Sequence, residues 1–174
     1  DDLYQLALSD LGALTYRKED LNPAEVLGDS IEFYRAEFAR KGITLTADLS
    51  RELEVTVFAD AERLAQLFAN LLDNSLKYTE RGGELVIRPA CGNGQATVDF
   101  LDSAPGVPES ELGKLFDRLY RVEASRCRIS GGAGRGLAIC RNIVEAHAGT
   151  IVAQPSPLGG VLIRVTLPIV GRCP

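Results

Sequence analysis

The apolar residues of this chain recur with two different periods, and each period predicts its own elements. Apolar positions three or four residues apart predict main helices over residues 26–40, 66–79 and 137–147, with a short helix over 109–116. Alternating positions rich in Val and Ile predict strands over residues 43–49, 54–58, 85–89, 96–101, 150–153 and 161–167. We therefore predict an α/β fold, a two-layer sandwich in which a mixed, mostly antiparallel sheet is covered on one face by three main helices.

The first residues carry a separate apolar stripe, which ends before a turn at Asn22 and Pro23. Its members, Leu3, Leu6, Leu11 and Leu14, have helical spacing, but so short a helix is marginal alone. We expect residues 1–18 to be the C-terminal stub of a longer helix and residues 19–174 to form one domain. A chain of 174 residues is long enough for one domain with a full core.

The overall charge limits the classes of partner. The net charge of -5 argues against nucleic acid as the main partner, and no apolar run approaches the ~20 residues of a membrane span. Residues 114–141 nevertheless contain seven basic and two acidic side chains. Such a local excess indicates a polyanionic small ligand, an acidic partner or a solvated basic face. The four cysteines show no CxxC pairing, so a reduced cytosolic setting is expected.

Residues 66–79, QLFANLLDNSLKYT, are the most informative segment. Asn70 and Asn74 are four residues apart and project from one side of the predicted helix, followed by Lys77. Asn is a poor helix former, so two of them within a strong helical pattern need a reason. Amide oxygens beside an ammonium suit a hard cation that carries phosphates, although two Asn facing water would give the same pattern.

Two later segments add to this hypothesis. In residues 100–107, FLDSAPGV, Asp102 follows a strand and would accept a hydrogen bond from an amine, while Gly106 lets backbone approach a flat ligand. In residues 131–137, GGAGRGL, glycines before a helix leave backbone N–H groups free for phosphate oxygens. An ordinary turn and a flexible linker are the alternatives.

Taken together and in this order, the three segments resemble the N, G1 and G2 boxes of the histidine kinase ATP-binding domain. Residues 115–121, LFDRLYR, are similar to the F box of that family and lie between G1 and G2. The resemblance implies the Bergerat fold. Residues 2–10, 102–106 and 138–147 resemble in more detail the sensor kinases of envelope stress, which implies the cytoplasmic domain of an inner-membrane protein that makes no membrane contact here.

The resemblance also implies roles for individual residues. Asn74 would bind Mg²⁺ with Asn70 close to the same ion, and Asp102 would accept the amino hydrogen of adenine. The residues implied in catalysis are Asn70, Asn74, Lys77, Arg118 and Arg121. The residues implied in nucleotide binding are Asn70, Asn74, Lys77, Tyr78, Asp102, Gly106, Gly132, Gly134, Gly136 and Leu137, with Gly132, Gly134 and Gly136 as the hinge of an ATP lid.

The implied function is transfer of the γ-phosphoryl group of Mg-ATP to a histidine on a dimerisation domain, and from there to a response regulator. Gyrase-type and chaperone-type relatives carry Glu at the position of Asn70, and Asn is no general base, which favours transfer over hydrolysis. The full-length protein would be a homodimer. No acceptor motif accompanies the single histidine, His147, which we predict to be structural, so the chain alone is expected to be inactive. The alternative is a regulatory nucleotide-binding module, such as an anti-sigma-type serine kinase or a scaffold without turnover.

Overall fold

A five-stranded mixed sheet forms one layer of the fold, with strand order β2-β4-β5-β7-β6. The computed structural model describes residues 15–49, 54–103, 105–117 and 136–171. The strands are β1 (Glu19–Leu21), β2 (Thr44–Ala47), β3 (Val57–Ala59), β4 (Glu84–Gly92), β5 (Gln95–Ser103), β6 (Thr150–Pro155) and β7 (Gly159–Pro168). The helices are α1 (Pro23–Lys41), α2 (Ala61–Tyr78), α3 (Glu109–Leu112) and α4 (Gly136–Ala146), and a 3-10 turn (Gly113–Phe116) follows α3.

The strand pairing confirms the predicted mixed, mostly antiparallel sheet. Strand β2 runs parallel to β4, whereas β4–β5, β5–β7 and β6–β7 pair antiparallel. The β4–β5 hairpin turns at Asn93 and Gly94, both with positive φ, as a tight two-residue turn requires. Strands β1 and β3 form a separate antiparallel ribbon.

The ends of the two long helices follow from local chemistry. Asn22 caps α1 by accepting the N–H of Ala24, and Gly42 ends the helix in the left-handed conformation at φ 74°. Asp60 caps α2 by accepting the N–H of Arg63 at 3.1 Å. Both helix ends are therefore fixed by residues that lie next to them in the sequence.

The main core lies between the sheet and the layer formed by α1, α2 and α4. Phe68 of α2 stacks on Phe100 of β5, with ring centroids 6.3 Å apart. The opposite side of the sheet carries an ion pair between Asp99 and Arg164, whose side chains alternate away from Phe100. The predicted two-layer arrangement, with three main helices over one face, is confirmed.

The structure differs from the prediction in its smaller elements. Strand β1 was not predicted, and β3 begins at Val57 instead of residue 54. The predicted short helix over 109–116 is divided into α3 and a 3-10 turn. Residues 1–14 of the predicted helical stub lie outside the described residues, so the domain boundary after residue 18 stays a prediction. No described helix has the length and hydropathy needed to cross a membrane.

Candidate functional site

Helix α2 is amphipathic, and its packing sets the direction of the polar residues. The residues that it buries include Leu67, Phe68, Leu71 and Leu72. Asn70, Asn74 and Lys77 are only partly buried, so they border the core without entering it. The helix therefore presents two amides and an ammonium along one edge, as the sequence predicts.

The start of α4 lies against Asn70. The Asn70 side-chain nitrogen donates to the Gly136 carbonyl at 3.4 Å, a long hydrogen bond. The same amide is hydrogen-bonded to the buried thiol of Cys140, one turn further along α4. Leu137 is buried in the core and anchors the helix start. Because the amide nitrogen faces α4, the amide oxygen is the end left for a ligand.

Asp102 is a buried carboxylate at the end of β5, with 8% of its surface exposed. Its Oδ1 accepts the N–H of Val161 at 2.7 Å, and it also accepts the hydroxyl of Ser75 on α2. Burial raises the pKa of Asp102 to about 6, and the hydrogen bonds from Val161 and Ser75 limit that rise. The carboxylate is thus held at the end of β5 by donors on β7 and α2, and its pKa lies closer to neutral pH than that of an exposed aspartate.

Glycines allow the chain to close tightly around Asp102. A methyl group on Gly160 would lie 2.2 Å from Asp102 Oδ1, and one on Gly106 would lie 2.9 Å from the Gly159 carbonyl oxygen. On the far side, a methyl group on Gly83 would lie 2.5 Å from Ser103 Oγ. Side chains are therefore excluded at all three positions, and Gly106 packs against the backbone of Gly159.

Lys41 of α1 holds the C-terminal end of α2. Its ammonium donates to three backbone carbonyls, those of Leu76, of Lys77 at 3.3 Å and of Thr79 at 2.8 Å. These carbonyls have no partner within an α-helix and carry its negative dipole end, so a lysine satisfies them. The clamp fixes the turn from which Lys77 and Tyr78 project, and the Lys77 ammonium lies 5.4 Å from the Tyr78 ring centroid.

His147 lies at the C-terminal end of α4 with 4% of its surface exposed. Its Nε2 accepts the N–H of Asp60 at 3.0 Å, so Nδ1 carries the proton and donates to the Ile143 carbonyl at 2.7 Å. Burial is the largest cause of its lowered pKa. Both ring nitrogens are used, which confirms the prediction that His147 is structural.

The segment before β1 closes over this histidine. The Tyr16 ring meets the His147 ring edge to face, with centroids 5.5 Å apart. The Arg17 N–H donates to Asp60 Oδ2 at 2.8 Å, and the Lys18 ammonium donates to the Ala146 carbonyl. We call this set of contacts from residues 16–18 the N-terminal junction. It ties the incoming chain to the start of α2 and the end of α4.

The structure brings together part of the predicted site. Asn70 and Gly136 are in contact, and Asp102 is joined to α2 through Ser75. The predicted site residues Arg118, Arg121, Gly132 and Gly134 lie outside the described residues. Sequence reasoning missed Ser75, Val161, Gly160 and Lys41, of which only the paired glycines before Val161 gave a local signal.

Comparison with known proteins gives consistent matches. Residues 59–171 match the family model of the histidine kinase-, DNA gyrase B- and HSP90-like ATPases. The chain is 50% identical to the signal transduction histidine-protein kinase BaeS of Escherichia coli over 97% of its length, and 35% identical to the adaptive-response sensory kinase SasA of Synechocystis over 84%. It spans 36% and 38% of these relatives, about a third of their length.

Solved structures agree with this comparison. The mycobacterial sensor histidine kinase MprB superposes with a TM-score of 0.74 at 27% identity, over 87% of this chain and 98% of that one. Full-length ShkA in complex with AMPPNP superposes with a TM-score of 0.83 over 99% of this chain and 35% of that one. At 22% identity, the second match shows the shared fold alone.

Proposed function

Because the chain belongs to the family of histidine kinase-, DNA gyrase B- and HSP90-like ATPases, we propose that it is the ATP-binding catalytic domain of a two-component sensor histidine kinase. Its fold is that of histidine kinase catalytic domains. The reaction is transfer of the γ-phosphoryl group of ATP to a histidine on a dimerisation domain, for onward transfer to an aspartate of a response regulator.

The contact between Asn70 and the start of α4 carries this proposal. A hydrolase of the same family needs a general base beside the phosphates, and an amide accepts no proton at neutral pH. Phosphoryl transfer to a side chain asks the protein mainly for positioning and charge neutralisation. Asn70, held through its nitrogen by Gly136, is a positioning group of this kind.

The residues present fit a magnesium nucleotide. Among the described residues no cluster of three His, Cys, Asp or Glu side chains is arranged to hold a metal ion. The protein ligands would be the amide oxygens of Asn74 and Asn70, as suits a cation that is held mainly by phosphates. The ion would supply neutralisation of phosphate charge, with Lys77 as the adjacent ammonium.

The base would lie beside Asp102 and Gly106. A carboxylate that already accepts two hydrogen bonds keeps lone pairs for the amino group of adenine. Gly106, Gly159 and Gly160 carry no side chains, so the backbone there would approach a flat ring closely. Tyr78, partly exposed at the end of α2, lies on the sugar side, and the lid implied at residues 132–136 would cover the phosphates.

The acceptor histidine belongs to another part of the protein. His147 is buried, and both of its ring nitrogens are engaged. The partners proposed are therefore a dimerisation domain of the same full-length homodimer and a cognate response regulator. We also propose that the full protein is anchored in the inner membrane with this domain in the cytoplasm, and that it responds to envelope stress.

Transfer of γ-labelled phosphate tests the proposal. The chain is incubated with labelled Mg-ATP alone and with a separately made dimerisation domain that carries its histidine. Acid-labile label is expected on the partner only, and the Asn74→Ala variant should lose it while Asp99→Asn, on the opposite sheet face, keeps it. Label on the isolated chain, or rapid release of phosphate, would contradict the proposal. Binding of ATP without any transfer would favour a regulatory module.

A further inference from the structure

Ser75 follows Asn74 in the sequence but points into the protein instead of toward the edge of α2. Its surface is 4% exposed, and its hydroxyl donates to the Asp102 carboxylate. The two residues are 27 positions apart and belong to different layers, since Ser75 lies on α2 and Asp102 on β5. A single hydroxyl therefore joins the helix of the two amides to the carboxylate at the end of the sheet.

We propose that Ser75 is a positioning residue for base recognition, whose hydroxyl acts with the Val161 N–H to fix the Asp102 carboxylate as the acceptor for the adenine amino group. This inference rests on the proposed function, because it assumes that the bound nucleotide is ATP. It adds a residue from the helix that carries the phosphate-side amides to the recognition of the base.

The geometry around the carboxylate leaves few other groups for this task. Oδ1 is held by Val161 at 2.7 Å, and Gly160 packs against the same oxygen so closely that a methyl group there would overlap it. Rotation of the carboxylate about its own axis is limited by a second donor on another element. Ser75 supplies that donor from the helix side.

Charged neighbours on the packed elements are engaged elsewhere. On the sheet, Asp99 and Arg164 pair with each other on the face away from α2. On the helix, Asp73 accepts the hydroxyl of Tyr34, and Lys77 lies over Tyr78. The two hydrogen bonds that limit the pKa of Asp102 come from neutral groups, Val161 and Ser75. Loss of the Ser75 hydroxyl is therefore expected to raise the pKa of Asp102.

Thr79, the residue that ends α2 four positions after Ser75, provides a matched control. It is 1% exposed, and within the described part of the chain its hydroxyl has no hydrogen-bond partner. Thr79→Val thus removes a buried hydroxyl without removing a bond to Asp102. A general effect of losing a buried hydroxyl from this region would appear in Thr79→Val and in Ser75→Ala alike.

The first measurement is the NMR titration of the Asp102 carboxyl in the nucleotide-free protein. The titration midpoint is expected to lie higher in Ser75→Ala than in the wild type, and to be unchanged in Thr79→Val. Ser75→Thr, which keeps a hydroxyl, should restore it. This readout needs no nucleotide, so it tests the contact even if ATP proves not to be the ligand.

The second measurement compares the affinities for ATP and ITP, which carries a carbonyl where adenine carries its amino group. Ser75→Ala should lower the ATP affinity about tenfold and leave the ITP affinity nearly constant, because one hydrogen bond to a charged group is lost. If Ser75→Ala does not fold, Ser75→Cys keeps the volume with a weaker donor and should show the same direction.

The outcomes separate this inference from the proposed function. A wild-type protein that binds no ATP would contradict the proposed function. A wild-type protein that prefers ATP, with a Ser75→Ala variant of unchanged carboxyl titration and unchanged ATP-to-ITP ratio, would overturn the role of Ser75. An equal loss of both nucleotides would also overturn it, since that result indicates a purely structural serine.

Discussion

Replacing Asp102 by Asn is expected to make the nucleotide-free protein more stable while weakening its binding of ATP. The carboxylate is 8% exposed, and burial raises its pKa from 3.8 to about 6. The folded-state pKa lies above the unfolded one, so ionisation of Asp102 opposes folding. This penalty is absent below about pH 3.8, grows as the pH rises toward 6 and is complete above it.

The size of the effect follows from the same pKa values. A rise of about two in pKa corresponds to a penalty of about 3 kcal/mol at neutral pH. The amide oxygen of the variant would still accept the N–H of Val161, and its amide nitrogen would donate to the Ser75 oxygen, so both polar contacts have a substitute. The gain in unfolding free energy should be about 3 kcal/mol near pH 7.5 and only about 1 kcal/mol near pH 4.5.

Urea unfolding of the wild type and of Asp102→Asn at both pH values measures this difference, and calorimetry measures the binding of ATP. The affinity should fall by about 10- to 150-fold, because a hydrogen bond to a charged acceptor contributes about 1.5–3 kcal/mol. Asp99→Asn is the control, since it removes a carboxylate from a surface ion pair and should give no gain. An equal gain at both pH values, or a loss near pH 7.5, would refute the reasoning.

Two further substitutions test the surroundings of the site. Gly160→Ala should lower the unfolding free energy by about 1–3 kcal/mol and abolish ATP binding, because the new methyl group would lie 2.2 Å from Asp102 Oδ1. Gly92→Ala is the control, since open space surrounds it, and it should change neither the thermal unfolding nor the ATP affinity measured by calorimetry. Lys41→Met should cost about 1–3 kcal/mol in thermal unfolding, because it leaves partly buried carbonyls at the end of α2 without a donor. Lys114→Met, at an exposed pair, should change little, and an equal change in both lysine variants would show that the clamp contributes nothing.

The helices and the long strands could be predicted from sequence because their signals are local. The apolar period of α2, its cap at Asp60 and the stop of α1 at Gly42 each depend on residues within a few positions. Strand β1 has three residues, with neither alternation nor apolar enrichment. It forms only because Glu19–Leu21 pairs with β3, some 40 residues later, and no local pattern could indicate that.

The same difference between local signals and distant contacts applies to the residues of the candidate site. Asn70 and Asn74 could be proposed from sequence because amides are unusual within a strong helical pattern. Asp102, in a segment that could be an ordinary turn, became a candidate only together with the other segments. Ser75 is an ordinary residue until Asp102 is folded against it. Lys41 is also ordinary until the end of α2, 35 residues later, reaches its ammonium. A residue whose role depends on a contact with a distant residue gives no local signal in the sequence.

The N-terminal junction has a mechanical consequence. Tyr16 and Lys18 hold the last turn of α4, and the first residue of the same helix, Gly136, lies against Asn70. An eleven-residue helix is about 16 Å long, and its backbone hydrogen bonds make it stiff. The helix therefore connects the N-terminal junction at one end to Asn70 at the other. A force applied to residues 16–18 would therefore reach Asn70 as a tilt of α4.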